Sequence, residues 1–381
     1  MAGHATASCL TGEVVQGNLR FTIAARDDEA DVRRLLREIP IGGRYQITLE
    51  RQPDAFAPGA GRTRSEHIII ARDRRTGCAA GLCERVVRDA FVDGSIRQLP
   101  YIGALRIAPS HRHKIAVLRG GFEALRLLTV RPGELPFALT SITSDNSPAR
   151  RVLTALLPGL PLYHPAGDFS TLALRPKFRS ANAAIQCATS SDFAELSEFL
   201  NRVNARAQFA PVWSEAALRG LQWHGLLPEH FLFVRQGKRI SGCMAVWDQR
   251  RFRQVVVRQY PKPIGALRPL LNLATPLAGL PRLPAIGTPI NQCVLSHVAF
   301  EDEDQATLLA LLDGALDRAK RRKFDAALIG FATERPWRAA IQQYHRAIEY
   351  QTSLYLTHWP DATAFVASLQ SRTPHPELGL L

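Results

Sequence analysis

Three consecutive basic residues, Arg112, His113 and Lys114, separate an apolar run ending at Ile107 from a helical pattern beginning near Ile115, in the segment "IAPSHRHKIAVLRGG". The first amides of a helix have no internal acceptor and its dipole is positive at that end, so cations placed there suit an anion. The chemistry open to this turn is to hold a phosphate by main-chain donors and flanking cations, since no glycine stands in it and Ile115 and Val117 follow. Other constellations are weaker. His111 and His113 form an H-x-H pair without acidic or thiol partners, so both rings are read as part of a basic rim and not as metal ligands. The run "DRAKRRKF" over 317–324 has the charge for nucleic acid, but it ends a helical pattern, where Lys and Arg complement the dipole. No nucleophile elbow, phosphate-binding G-K-S/T or dinucleotide fingerprint occurs.

A chain of 381 residues, 46% hydrophobic and 22% charged, buries a full core and is long enough for two ordinary domains. Lys and Arg number 48 against 34 Asp and Glu, a net charge of +14 that suits an anionic partner such as a nucleotide cofactor, nucleic acid or a membrane surface. Six cysteines without a C-x-x-C pair point to reduced thiols. No stretch reaches the roughly 18 uninterrupted apolar residues of a membrane span, and the first residues lack the pattern of a secretory leader. The expectation is a soluble, cytoplasmic protein with no structural metal and no membrane partner.

The elements that would position the basic turn occur twice. "FTIAARDDEADVRRLLREI" (21–39) and "IQCATSSDFAELSEFLNRV" (185–203) each read as strand, Asp-containing cap and amphipathic helix. Strand, turn and strand follow at 67–82 and 230–247, strand and long helix at 104–128 and 294–319, and strand with a Pro-started helix at 136–153 and 324–342. Each half is therefore expected as β–α–α–β–β–β–α–β–α–β, with Cys78 and Cys243 at matching places as small buried side chains. The divisions are a tail over 1–18, a first domain over 19–178, a second over 184–360 and a short helix with a frayed tail over 361–381, with a polar linker near 175–183. Seven prolines in 260–289 argue against a regular long helix there, leaving a packed loop or a lid. Gly120 and Gly121 inside the third helix imply a close neighbour, a strand or a ligand.

This order, with a basic turn after the fourth strand and "SDN" after the next, resembles the GCN5-related N-acetyltransferase superfamily in tandem, over about 20–175 and 184–358. The resemblance implies an α/β fold of two acyltransferase-like units, each a mixed, mostly antiparallel sheet flanked by helices. It also implies acetyl-CoA as co-substrate and an amine on a small molecule or peptide as acceptor. In that superfamily Q/R-x-x-G-x-G/A binds the pyrophosphate; Arg112 fits its first place, while Ile115 and Val117 replace the glycines. Carried over by position, the cofactor contacts are Leu105, Arg106 and Ile107 on the strand, then Arg112, His113, Lys114, Ile115, Ala116 and Val117 at the turn, and Asn146 beyond. In the second half Glu301, Asp302, Glu303 and Asp304 stand at the same turn and would repel phosphate, so the chemistry is assigned to the first half. An amine of pKa near 10.4 must lose a proton before it attacks, and the resemblance points to Glu84 or Glu50 as the base. The superfamily's acid is a tyrosine in N-x-x-A-x-x-x-Y. Asn146 and Ala149 fit, but Leu153 stands in its place; the second half has Tyr344 but Trp337 in the Asn position, and Tyr163 is the substitute. The alternative is a non-catalytic module that senses acyl-CoA or docks on an anionic macromolecule, nucleic acid being open but not favoured.

Overall fold

The computed structural model describes residues 12–41, 43, 45–57, 63–179, 182–301 and 304–381, and the backbone of 6–8. The first half runs β1 (Thr6–Ser8), β2 (Glu13–Gln16), β3 (Leu19–Ile23), α1 (Glu29–Glu38), β4 (Gln46–Glu50), β5 (Thr63–Asp73), β6 (Ala79–Val92) and β7 (Ser95–Ile107). It continues with α2 (Ile115–Thr129), β8 (Phe137–Thr143), α3 (Ser147–Leu153) and β9 (Leu162–Leu174). The second runs β10 (Gln186–Cys187), α4 (Phe193–Asn204), β11 (Ala210–Pro211), α5 (Glu215–Gly220), β12 (Phe231–Gln236), β13 (Arg239–Trp247), β14 (Gln254–Gln259) and α6 (Lys262–Ala278). After it come β15 (Gln292–Phe300), α7 (Gln305–Arg321), β16 (Ala326–Ala332), α8 (Trp337–Tyr344), β17 (Ala347–His358) and α9 (Thr363–Ala367).

The main helices form where apolar residues recur at helical spacing. Val32, Leu35 and Leu36 of α1 are buried, and α7 buries Leu308, Leu311, Leu312, Ala315, Leu316 and Ala319 behind Asp304, whose side chain accepts from the Ala306 amide at 2.9 Å. The sheet they cover is mixed and mainly antiparallel, and it is continuous, in the order β1-β2-β3-β5-β6-β7-β8-β17-β9-β16-β15-β13-β12-β10. Its centre is an exchange. β17 pairs with β8 from Thr352 opposite Thr143 to His358 opposite Phe137, while β9 pairs with β16 from Leu174 opposite Ala327 to Phe169 opposite Ala332. Each half thus completes its sheet with the other half's last strand, so 19–178 and 184–360 share one sheet. A two-stranded sheet, β4 with β14, ties the halves a second time.

Several expectations are corrected. Between α1 and β5 the chain forms β4, not a second helix, because that segment pairs with β14. Residues 13–16, expected as tail, form β2 beside β3. Cys78 is exposed in a turn, and the register of β6 matches Cys243 to Leu82 instead. The proline-rich insert contains a 17-residue helix, α6. Pro263 sits in its first turn, where no donor is required, and the Asn272 carbonyl left without its amide by Pro276 accepts from Thr275 Oγ1 at 3.2 Å. The Asn272 side chain bonds both the amide and the carbonyl of Leu283, which fastens the helix to the returning chain. Gly120 is required by packing, since a Cβ there would lie 2.2 Å from the Phe21 ring; Gly121 has open space. In the basic run, Arg321 pairs with Asp317, while Arg318 and Arg322 donate to the carbonyls of Glu229 and Val246.

Candidate active site

Both halves carry the same irregularity at the same place. Ala104 in β7 has φ 50° and His297 in β15 has φ 53°, each beside a register shift in the pairing with β6 or β13. A bulge of this kind bends a strand away from its neighbour. β7 pairs with parallel β8 only through Tyr101 and Ile102, and β15 with parallel β16 only through Gln292–Leu295, so a fissure opens beyond each. The bulges align Gly81 with Gly242, Glu84 with Ala245 and Arg106 with Ala299, which gives the two fissures different chemistry.

The fissures also differ in occupancy. In β15 every residue from Cys293 to Phe300 is buried, because the segment 374–381 lies in the gap. Glu377 accepts the His297 amide at 2.8 Å and the Gly379 amide at 3.0 Å, Gln249 donates to the Gly379 carbonyl at 2.8 Å, and Gly379 lies against Trp247. The expected frayed tail is therefore a plug, held by main-chain bonds that a reading of its sequence does not reveal. Of the acidic turn, Asp302 and Glu303 lie outside the described residues; Asp304 caps α7 and Glu301 pairs with Arg202 and Arg206. In β7, by contrast, residues 101–105 remain half-exposed at the centre of the sheet.

Loss of hydration pushes the Glu377 carboxyl up to about 7 despite its two amide donors. A carboxyl raised in the folded state contributes stability that is complete below the ordinary carboxylate range and is lost as pH rises toward 7. The stability of the wild type relative to Glu377→Gln is therefore expected to grow by about 1.4 kcal/mol per pH unit as pH falls from 7 toward 4.5. Urea unfolding of both proteins across that window checks it.

At the open fissure the predicted phosphate turn keeps some of its expected form. Arg112, His113 and Lys114 are exposed, and no side chain caps the first amides of α2. His111, expected on the basic rim, is instead buried, with Nε2 3.3 Å from Asp73 and Nδ1 2.9 Å from the Ser110 hydroxyl. Val117 is buried in the core beneath α2, with Ile115, Ala116, Leu105 and Ile107 packed against it, so the aliphatic replacements for glycine serve that core. On this α2-facing side of β7 the space left is about 10 Å³, room for no more than one water, so a ligand has space only on the other face or at the rim.

Arg106 lies opposite Leu82, whose side chain belongs to the core under α1, so it leaves β7 on that other face. The residue is 7% exposed, and its guanidinium donates from Nη1 to the Leu105 carbonyl at 2.9 Å and has no partner for Nε. Burial drives it down to about 10, and no carboxylate among the described residues pairs with it. Asn146 accepts the Ala149 amide at 3.4 Å, which makes it the cap of α3.

On the α1 face a charged cluster continues toward the β4–β14 sheet. Arg51 grips both oxygens of Glu84 at 2.5 Å and reaches Glu66 at 3.4 Å. Burial alone would raise Glu84, but the Arg51 charge and hydrogen bonds win and hold it low, whereas burial and the Glu84 charge keep Glu66 above the ordinary range. Tyr101 Oη meets Ser141 Oγ at 2.8 Å, and its ring lies over Gly103, where a Cβ would stand 2.8 Å away. Arg88 joins from β6, and Arg253, just before β14, reaches the main-chain oxygen of Leu381. Protein surrounds Arg51 and Glu66 closely, yet their side chains stay 26% and 22% exposed, as the lining of a narrow cleft does.

Of the catalytic candidates, only Glu84 lies in this cluster. Glu50 bonds Thr48 at 2.8 Å, Arg37 at 3.4 Å and Arg258, a brace between α1, β4 and β14. Tyr163 packs edge-on against Phe122 of α2 and Tyr355, on the opposite face of the sheet, and burial pushes its hydroxyl up. Sequence reasoning missed Glu66, Arg51, Arg88 and Arg253. Charges inside apolar strands were a usable sign for Glu66 and Arg88; nothing local marks the two arginines that arrive with β4 and β14.

Solved structures share this architecture. Saccharomyces cerevisiae N-myristoyltransferase with bound myristoyl-CoA superposes with a TM-score of 0.56 at 10% identity, over 90% of this chain and 83% of that one. A GCN5-related N-acetyltransferase from Sphaerobacter thermophilus gives 0.51 at 12% identity, over 90% of this chain and 96% of that one. The fold is GNAT-like. No protein-family profile and no curated protein matches the sequence.

Proposed function

We propose that the chain is an acyltransferase that moves an acyl group, acetyl in the simplest case, from acyl-CoA to an amine at the first-half fissure. The observation that carries this reading is the asymmetry between two equivalent gaps. One is filled by the chain's own 374–381, while the other is half-exposed and borders a buried guanidinium with no counter-charge. A lone buried cation is costly unless an anion joins it, and the phosphates of a CoA ester supply one. The bulge at Ala104 turns main chain toward the thioester, where amides polarise its carbonyl. The amine gives its proton to the carboxylate pair, with Glu66 the more basic member, and its nitrogen attacks the carbonyl carbon. The new C–N bond forms, the C–S bond breaks, and the thiolate departs to take a proton from water. Arg51, Arg88 and Arg253 outnumber Glu66 and Glu84, which suits an acceptor carrying a negative charge of its own.

Calorimetry with acetyl-CoA and a long-chain acyl-CoA tests the reading. Wild type is expected to bind, and Arg106→Met to bind about 10- to 100-fold more weakly, the worth of a charge-assisted hydrogen bond. Absence of binding, or equal binding by both proteins, overturns it.

A further inference from the structure

α6 is built inside out. Its only buried residue is Thr275, and the polar side chains of Arg268 and Asn272 turn inward to the main chain of Leu283. Ala266, Leu270, Leu273 and Leu277 follow one another at i, i+4, i+7 and i+11, which puts them on one line of the helix. That line faces solvent: Leu270 is 64% exposed, Leu273 75% and Leu277 93%, with Leu267 beside them and exposed Ile286 in the returning chain. Water gives no reason for such an arrangement, so the face is made to be covered. Its charge indicates by what. No Asp or Glu occurs between Asp248 and Glu301, while Lys262 and Arg282 are exposed at either end of the stripe.

A second, independent feature adjoins it. Where α6 ends at Pro276–Gly279, a cavity of about 480 Å³ opens, lined by Arg175, Lys177, Lys320, His345 and Arg346 without a carboxylate. Asp313, close behind, is engaged by Arg179 at 2.9 Å. The exposed rings of Phe178 and Tyr344 complete the rim.

We propose that this surface docks on an anionic lipid bilayer, with α6 lying in the interface and the basic cavity receiving a lipid phosphate. Leucines among acyl chains and cations at headgroup level are the two forces that hold an interfacial helix. Nucleic acid would meet the cations but leave the leucines in water, and a second copy would meet the leucines but leave the basic cavity unmatched. The expectation of no membrane partner rested on the lack of a spanning run, which an interfacial helix does not need; no helix among the described residues is long and apolar enough to span.

The test is co-sedimentation of the full chain with vesicles of phosphatidylcholine and of phosphatidylcholine mixed equally with phosphatidylglycerol. Wild type is expected to bind the mixed vesicles. The surface pairs Leu273→Asp with Leu277→Asp, and Lys177→Glu with Arg346→Glu, are each expected to weaken that binding about tenfold or more while leaving the melting temperature unchanged. Light scattering and RNA anisotropy on the same proteins test the other occupants. Failure of wild type to bind mixed vesicles, binding by either variant equal to that of wild type, a wild-type dimer abolished by the leucine changes, or RNA affinity lost with Lys177 and Arg346 overturns the proposal.

Discussion

Glu66→Gln is expected to lower kcat for acyl transfer by about 100-fold or more, the usual range for loss of a general base, with a much smaller change in KM for acyl-CoA. Two carboxylates stand side by side on β5 and β6, and their surroundings push them apart. Glu84 has Arg51 on both oxygens and stays ionised; a base so well satisfied gains little from a proton. Glu66 receives a longer contact from the same guanidinium and feels the Glu84 charge, which keeps it above the ordinary range. The wild-type rate should therefore climb with pH along a limb above that of a free carboxylate, and the limb should vanish in Glu66→Gln. A pH–rate profile with an amine acceptor reads both. An unchanged limb would return the role to Glu84 or to water.

Removing residues 374–381 is expected to destabilise the fold by about 4 kcal/mol or more, since the bonds from the His297 amide to Glu377 and from the Gln249 side chain to the Gly379 carbonyl are lost and apolar surface in the second fissure meets water. The His297 and Gly379 amides bind Glu377, and Leu378 lies against Gly330 between the strands. His297 itself is 2% exposed, and burial drives its ring down to about 3. Opening the gap would let that ring charge in the folded chain below pH 6.5, so the penalty that its burial places on wild type in mild acid should be relieved in the truncated chain. Urea unfolding at pH 7.5 and pH 5.5 measures both effects. Equal stability of the two chains would mean that 374–381 merely rests in the gap.

The order of strands and helices was legible because local periodicity carries it: a helix such as α7 shows its buried leucines at every turn, and paired strands show where hairpins must be. The basic turn at Arg112–Lys114 was legible for the same reason, as charge at a helix start. α6 was misread because proline is a local penalty, whereas the Thr275 and Asn272 contacts that offset it join residues brought together by the fold. Of the cleft, Glu84 could be found on its strand, but Arg51 and Arg253, which set its charge, approach from the two strands of a sheet shared between the halves.

The sequence by itself determined an α/β chain with a cationic turn ahead of one long helix and an acidic one ahead of another. Only the tertiary structure decided which strands complete each half, which fissure stays open and which carboxylate is the more basic. β17 pairs with β8 and β9, and β9 with β16, strands far apart in the chain, so their pairing is a choice made by the assembled sheet. Whether a gap is filled depends on a segment such as 374–381 returning from far along the chain, and a carboxyl's basicity depends on charges that only folding brings beside it.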